Sequence, residues 1–106
     1  MKTKFKHIWL FILLLTLGSN MAQENKKNIY IVPIQDTIDL GIPSFVKRAI
    51  SIAESNNSEL IIFDIDTFGG RVDAATQIKD AISATDITTI AFINRRAISA
   101  GSLISL

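Results

Sequence analysis

Three short apolar runs, separated by two stretches of helical periodicity, set the narrowest limit on what this chain can fold into. The runs are Ile29–Ile34, Leu60–Ile65 and Thr88–Ile93. They are rich in β-branched residues and bounded by polar ones, the pattern of buried strands. Leu60–Ile65 is nearly all apolar, as expected for a strand covered on both faces. Pro33 cannot donate a ladder hydrogen bond, which points to an edge strand or to a strand's end. Ile42, Phe45, Val46, Ala49, Ile50 and Ala53 form one apolar stripe at helical spacing. Pro43 suits the first turn of that helix, and Asn56 and Asn57 close it. Val72, Ala75, Ile78 and Ile82 form a second stripe, and a third helix is expected to begin near Ser99. The order β-α-β-α-β-α predicts an α/β fold with parallel strands and right-handed crossovers. Asp66–Gly70 and Asn94–Ile98 are expected to be loops.

The first 22 residues stand outside this pattern. Lys2, Lys4 and Lys6 precede an apolar run from Ile8 to Leu17, and small or polar residues lead to Ala22. This is the three-part form of a secretory signal peptide. The run is too short for a spanning helix, which needs about 20 apolar residues. Residues 23–28 are polar and read as a linker, with the folded unit over 29–106. Three of the 11 basic residues lie in the signal and none of the 10 acidic ones. The remainder therefore carries 8 basic against 10 acidic residues, a net charge of −2. No basic patch is left to argue for nucleic acid. The absence of cysteine excludes disulfides, thiol catalysis and thiolate metal sites. The chain stops at Leu106, about two turns into the last expected helix. That reads as the front part of a larger protein.

Parallel α/β sheets build sites beyond the carboxyl ends of their strands. Two segments leave such ends here, Asp66–Arg71 and Asn94–Ala100. Gly69 and Gly70 open a helix and can leave amide hydrogens free for a negative oxygen, although a plain turn explains a lone Gly-Gly pair better. Ser99 is flanked by Ala97, Ala100 and Gly101 at a strand-to-helix junction, as a nucleophile would be. Taken alone, it fits a helix N-cap better. A serine nucleophile also needs a base. The only histidine is His7, in the signal, and Lys26, Lys27, Lys47 and Lys79 fall on polar faces or in the linker. Asp64 and Asp66 share a strand face and partly match the D-x-D-x-T motif of haloacid-dehalogenase-type phosphatases, but Phe68 stands where that motif wants Thr or Val. Magnesium-dependent phosphatase chemistry is kept as a lesser alternative. Arg71, Arg95 and Arg96 lie beside the two segments; Arg71 and Arg96 are the candidates to bind substrate, although a solvated rim explains any one of the three better.

The run Ile61-Ile62-Phe63-Asp64-Ile65-Asp66-Thr67-Phe68-Gly69-Gly70-Arg71-Val72-Asp73-Ala74-Ala75 resembles a segment of the NfeD-type membrane-bound serine proteases, which belong to the ClpP class. Ala91-Phe92-Ile93-Asn94-Arg95-Arg96-Ala97-Ile98-Ser99-Ala100-Gly101 resembles a second segment of that family, in the right order and at the right separation. Phe68 departs from the family, which usually has proline there.

The resemblance implies a ClpP/crotonase-like fold and a Ser-Lys dyad, with no cofactor or metal. It casts Ser99 as the catalytic serine and Gly69, Gly70 and the amide of Ala100 as the oxyanion hole. The lysine base is expected beyond Leu106, so that the fragment alone would be inactive. The implied substrates are peptide segments or membrane proteins, stomatin-like partners among them. Self-association and a place at the periplasmic face of the membrane go with this reading. A non-catalytic fragment or scaffold is the alternative.

Overall fold

A computed structural model of the chain describes residues 27–106. The expected signal, residues 1–22, and most of the 23–28 linker lie outside the described residues. The elements are β1 (Ile29–Ile38), α1 (Ile42–Ser55), β2 (Leu60–Gly70), α2 (Val72–Ala84), β3 (Thr88–Ala97) and α3 (Ala100–Ser105). All strand pairs are parallel, in the order β1-β2-β3. Pro33 therefore sits within an edge strand, where a missing donor can face outward.

Two right-handed crossovers running the same way across the sheet put α1 and α2 on one face. That face is the core. Ile61, Phe63, Ile65 and Thr67 of β2 are at most 1% exposed, packed with Val32, Ile34 and Ile38 of β1. Val46, Ile50 and Ala53 of α1 cover them, with Ala74, Ala75 and Ile78 of α2 and Ala100 and Ile104 of α3. The expectation that β2 is covered on both faces is not met among the described residues. Ile62, Asp64 and Asp66, which alternate with the core residues, are only half-buried. Ile31, Ile90 and Phe92 on the same open face are exposed.

Two helical details also differ from expectation. Val72 is exposed and Ala74 is buried in its place. Val72 is the first helical residue, and the adjacent alanines turn the buried face toward Ala74 and Ala75. Phe45 stays partly exposed while Pro43 is buried. The α1 ends are built as their residues suggest. Gly41 N–H donates to Asp39 Oδ1 at 2.8 Å, an Asx turn leading into the helix. Asn57 takes a φ of 51° after the helix, with Asn57 N–H bonded to Glu54 O and Ser58 N–H to Ala53 O, both from the last turn.

All three strands outrun their apolar cores. The expected Asp66–Gly70 and Asn94–Ile98 loops are largely strand, because pairing resumes after register shifts. Between β1 and β2 the shift falls at Asp36, which has a φ of 62°, and pairing resumes at Thr37 with Gly69 and Ile38 with Gly70. Between β2 and β3 it falls after Ile65 and Ile93, and pairing resumes at Thr67 with Ala97. Bulges of this kind bend a strand and re-aim its groups. Gly70 is what lets β1 and β2 stay paired so far. Its φ is 154°, and a Cβ there would stand 2.7 Å from the Ile38 nitrogen and closer still to its carbonyl oxygen. Gly70→Ala is therefore expected to destabilise the fold by ~2 kcal/mol or more, from strain plus backbone overlap. Urea denaturation checks this, and an unchanged midpoint would contradict the close approach.

Candidate active site

The carboxyl ends of β2 and β3 meet through Gly69. Its φ is 114°, and a Cβ built there would lie 2.9 Å from Ser99 Cβ, 3.0 Å from Ile98 O and 3.3 Å from Ala100 N. The two segments expected to leave the strand ends are thus in contact. Ser99, Gly69 and Ala100 come together at one place.

Thr67 holds this junction from below. Its hydroxyl is buried, donates to the Asp36 carbonyl and accepts the Gly69 N–H at 3.0 Å. The Thr67 carbonyl accepts the Ile98 N–H at 3.1 Å. A Cβ at Gly101 would stand 2.6 Å from Thr67 Cγ2, so α3 rests directly on this side chain. Sequence reasoning passed over Thr67 as one more loop residue. Its place between two aspartates and a glycine pair was the available signal.

Ser99 sits at the N-cap position of α3, yet it does not cap. It makes no side-chain cap hydrogen bond, and its backbone has φ 55° and ψ −117°. A capping serine holds β-region angles and accepts an amide with its hydroxyl. As in any N-cap residue its backbone carbonyl accepts a helix amide, Ser102 N–H at 2.9 Å, but its hydroxyl makes no cap bond and the residue is exposed at the mouth. Such backbone angles cost a non-glycine residue about 1–3 kcal/mol and recur where a side chain must be aimed.

The donors around it can be sorted. Gly69 N–H is taken by Thr67, and Arg71 N–H by the Ile38 carbonyl at 2.9 Å. Ala100 opens α3, so its amide has no partner within the helix. Gly70 lies between the two amides already used.

Two arginines at the site, Arg71 and Arg96, are engaged. Arg96 Nε donates to Asp66 Oδ1 at 2.8 Å, and its Cζ stands 4.1 Å from the Phe68 ring centroid. Arg71 makes a two-pronged contact with Asp73, at 3.0 and 2.8 Å. That hydrogen bond raises the Arg71 pKa and holds the Asp73 carboxyl below its ordinary value. Asp64 and Asp66 do share the open face, but Asp66 is occupied by Arg96, and Asp64 Oδ1 is buried without a hydrogen-bond partner among the described residues. Among the described residues no cluster of three His, Cys, Asp or Glu gathers for a metal. No helix among them is long and apolar enough to cross a membrane.

The profile of the NfeD1b N-terminal domain matches residues 28–106. The chain belongs to the NfeD1b N-terminal domain family. It is 36% identical over 95 residues to the membrane protein NfeD1b of Bacillus subtilis (strain 168), covering 89% of this chain and 22% of that protein. It is 35% identical over 98 residues to the membrane-bound protease PH1510 of Pyrococcus horikoshii, covering 90% of this chain and 22% of that protein. The chain thus spans about a fifth of the length of these relatives. A solved membrane protease from Pyrococcus horikoshii, specific for a stomatin homolog, superposes with a TM-score of 0.69 at 35% identity, over 76% of this chain and 42% of that one. ClpP1 from Listeria monocytogenes superposes with a TM-score of 0.67 at 27% identity, over 70% of this chain and 44% of that one. The NfeD1b-type domain therefore has the ClpP-like fold that its motifs suggested.

The Thr67 junction yields an ordered expectation. Thr67→Val keeps the shape but strands the Asp36 carbonyl and the Gly69 N–H, at about 1–3 kcal/mol for each buried group left unpaired. Thr67→Ser keeps the hydroxyl and loses one methyl, at about 1 kcal/mol. Valine should lower the denaturation midpoint more than serine, and the reverse order would show that packing outweighs the hydroxyl. At Ser99 the ordering should also be unusual. Ser99→Gly is expected to be more stable than Ser99→Ala, by about 1 kcal/mol, because glycine relieves the positive φ. Equal thermal stabilities would mean that the strain is absent.

Proposed function

We propose that this domain carries the nucleophile and oxyanion-binding face of a serine peptidase acting on peptide bonds in membrane-associated or hydrophobic substrates. The observation that carries this reading is the contact of Gly69 with Ser99, in which the serine has a positive φ and no capping role. An unstrained, capping serine would have favoured a purely structural part.

In this mechanism Ser99 Oγ attacks the substrate carbonyl carbon. The carbonyl oxygen becomes an oxyanion that accepts the N–H groups of Ala100 and Gly70. The hydroxyl proton passes to a base and then to the leaving amine, and water later hydrolyses the acyl-enzyme. Gly69 serves the hole through its backbone shape, since its own amide goes to Thr67. Arg71, exposed at the rim, is placed to meet an extended substrate.

The base is the lysine that the family resemblance puts beyond residue 106. Solved structures of the stomatin-specific protease include a serine-to-alanine mutant, and a lysine-to-alanine mutant in complex with a substrate peptide. Among the described lysines, Lys27 pairs with Glu59, Lys47 is exposed, and Lys79 is half-buried in a cavity lined by Phe63 and Ile82. A stomatin-like substrate, self-association, export and a position at the periplasmic face of the membrane belong to the same proposal. The relatives' names support the membrane association and the stomatin-like substrate, and the basic residues followed by an apolar run at the N-terminus support export.

The test is covalent labelling of the intact protein by a fluorophosphonate probe. Wild-type protein should label at Ser99, and Ser99→Ala should abolish it. Labelling that persists unchanged in Ser99→Ala, or is absent from the folded wild type, would favour a non-catalytic scaffold.

A further inference from the structure

Arg96 belongs to the stretch of β3 that follows the register shift, just before the Ser99 segment. Its guanidinium does two things at once. It is fixed by Asp66 at 2.8 Å, and it stacks over the Phe68 ring at 4.1 Å. Phe68 is 69% exposed, so burial does not hold its ring in place. The stacked cation does. Phe68 immediately precedes Gly69 and Gly70, two residues whose backbones are free to take many conformations unless both flanks are anchored. The later flank is anchored by Arg71 N–H on the Ile38 carbonyl. On the earlier flank Thr67 anchors the buried side. The solvent side has Phe68 beneath Arg96.

We infer that Arg96 is a positioning residue. Clamped by Asp66 and stacked on Phe68, it sets the spacing between the Gly69–Gly70 segment and Ser99. What it positions for rests on the serine-peptidase reading, whereas the clamp can be measured without it. The role needs a planar cation. A lysine could keep the ion pair with Asp66 but would lose the flat stack.

The test uses the intact protein and two readouts, amide hydrogen exchange over residues 67–72 and the rate of fluorophosphonate labelling. Arg96→Ala is expected to speed exchange at Gly69 and Gly70 and to slow labelling about three- to ten-fold. Arg96→Lys should be slowed in the same way, and so should Phe68→Leu. The Arg96→Ala, Phe68→Leu double variant should be no slower than Arg96→Ala alone, because Arg96→Ala already removes the contact that Phe68→Leu breaks. Unchanged exchange in Arg96→Ala, full rescue by lysine, or additive effects would overturn the inference. If Arg96→Ala fails to fold, Phe68→Leu, which keeps the Arg96–Asp66 pair, decides by the same readouts. If wild-type protein does not label but exchange still quickens in the variants, the peptidase reading falls and the clamp stands.

Discussion

The Thr67 hydroxyl is buried at the carboxyl end of β2, and both of its hydrogen-bonding capacities are used. It donates to the Asp36 carbonyl and accepts the Gly69 N–H. Its methyl packs where α3 crosses at Gly101, and its carbonyl receives Ile98 N–H. One residue, through its side chain and its carbonyl, therefore ties the ends of all three strands to the start of α3. A buried polar group is tolerated only when paired, and here the pairs are what bring the glycine segment and the serine segment together.

Backbone strain gathers at the same end of the sheet. Asp36, Gly69, Gly70 and Ser99 all have positive φ, while the remaining case, Asn57, is the ordinary end of α1. Each of the four follows from a need to leave ladder geometry. Asp36 is the bulge that aims a carbonyl at Thr67. Gly69 and Gly70 allow backbones to approach where a Cβ would collide. Ser99 turns from β3 into α3 within one residue. Such conformations persist only where surrounding contacts over-determine them. Thr67 on the buried side and Arg96 on the open side are those contacts.

The distribution of charge fits this division. Arg71 and Arg96 could look like free cations beside an anion site, but each is answered by an aspartate on a neighbouring position, Asp73 and Asp66. The mouth is thereby left to backbone amides. Neutral, fixed donors suit an oxygen whose charge appears only during reaction, because they need no reorganisation when it forms.

Much of the fold was legible in the chain itself. The periods of Ile29–Ile34, Leu60–Ile65 and Thr88–Ile93 against the stripe from Ile42 to Ala53 dictate parallel strands with crossover helices, because side-chain spacing must match backbone period. The small residues around Ser99 and the glycine pair marked the two segments that meet, and their family pattern named the fold. Tertiary structure decided the rest. It showed that among the described residues helices cover β2 on one face, because both crossovers run the same way. It extended the strands through the expected loops, since bulges let pairing resume where propensity had run out. It turned Ser99 from a cap into a residue with a strained backbone and a hydroxyl that does not cap, and it raised Thr67 from a loop residue to the centre of the junction. Those outcomes depend on what lies across the sheet from each residue, which no spacing along one strand contains.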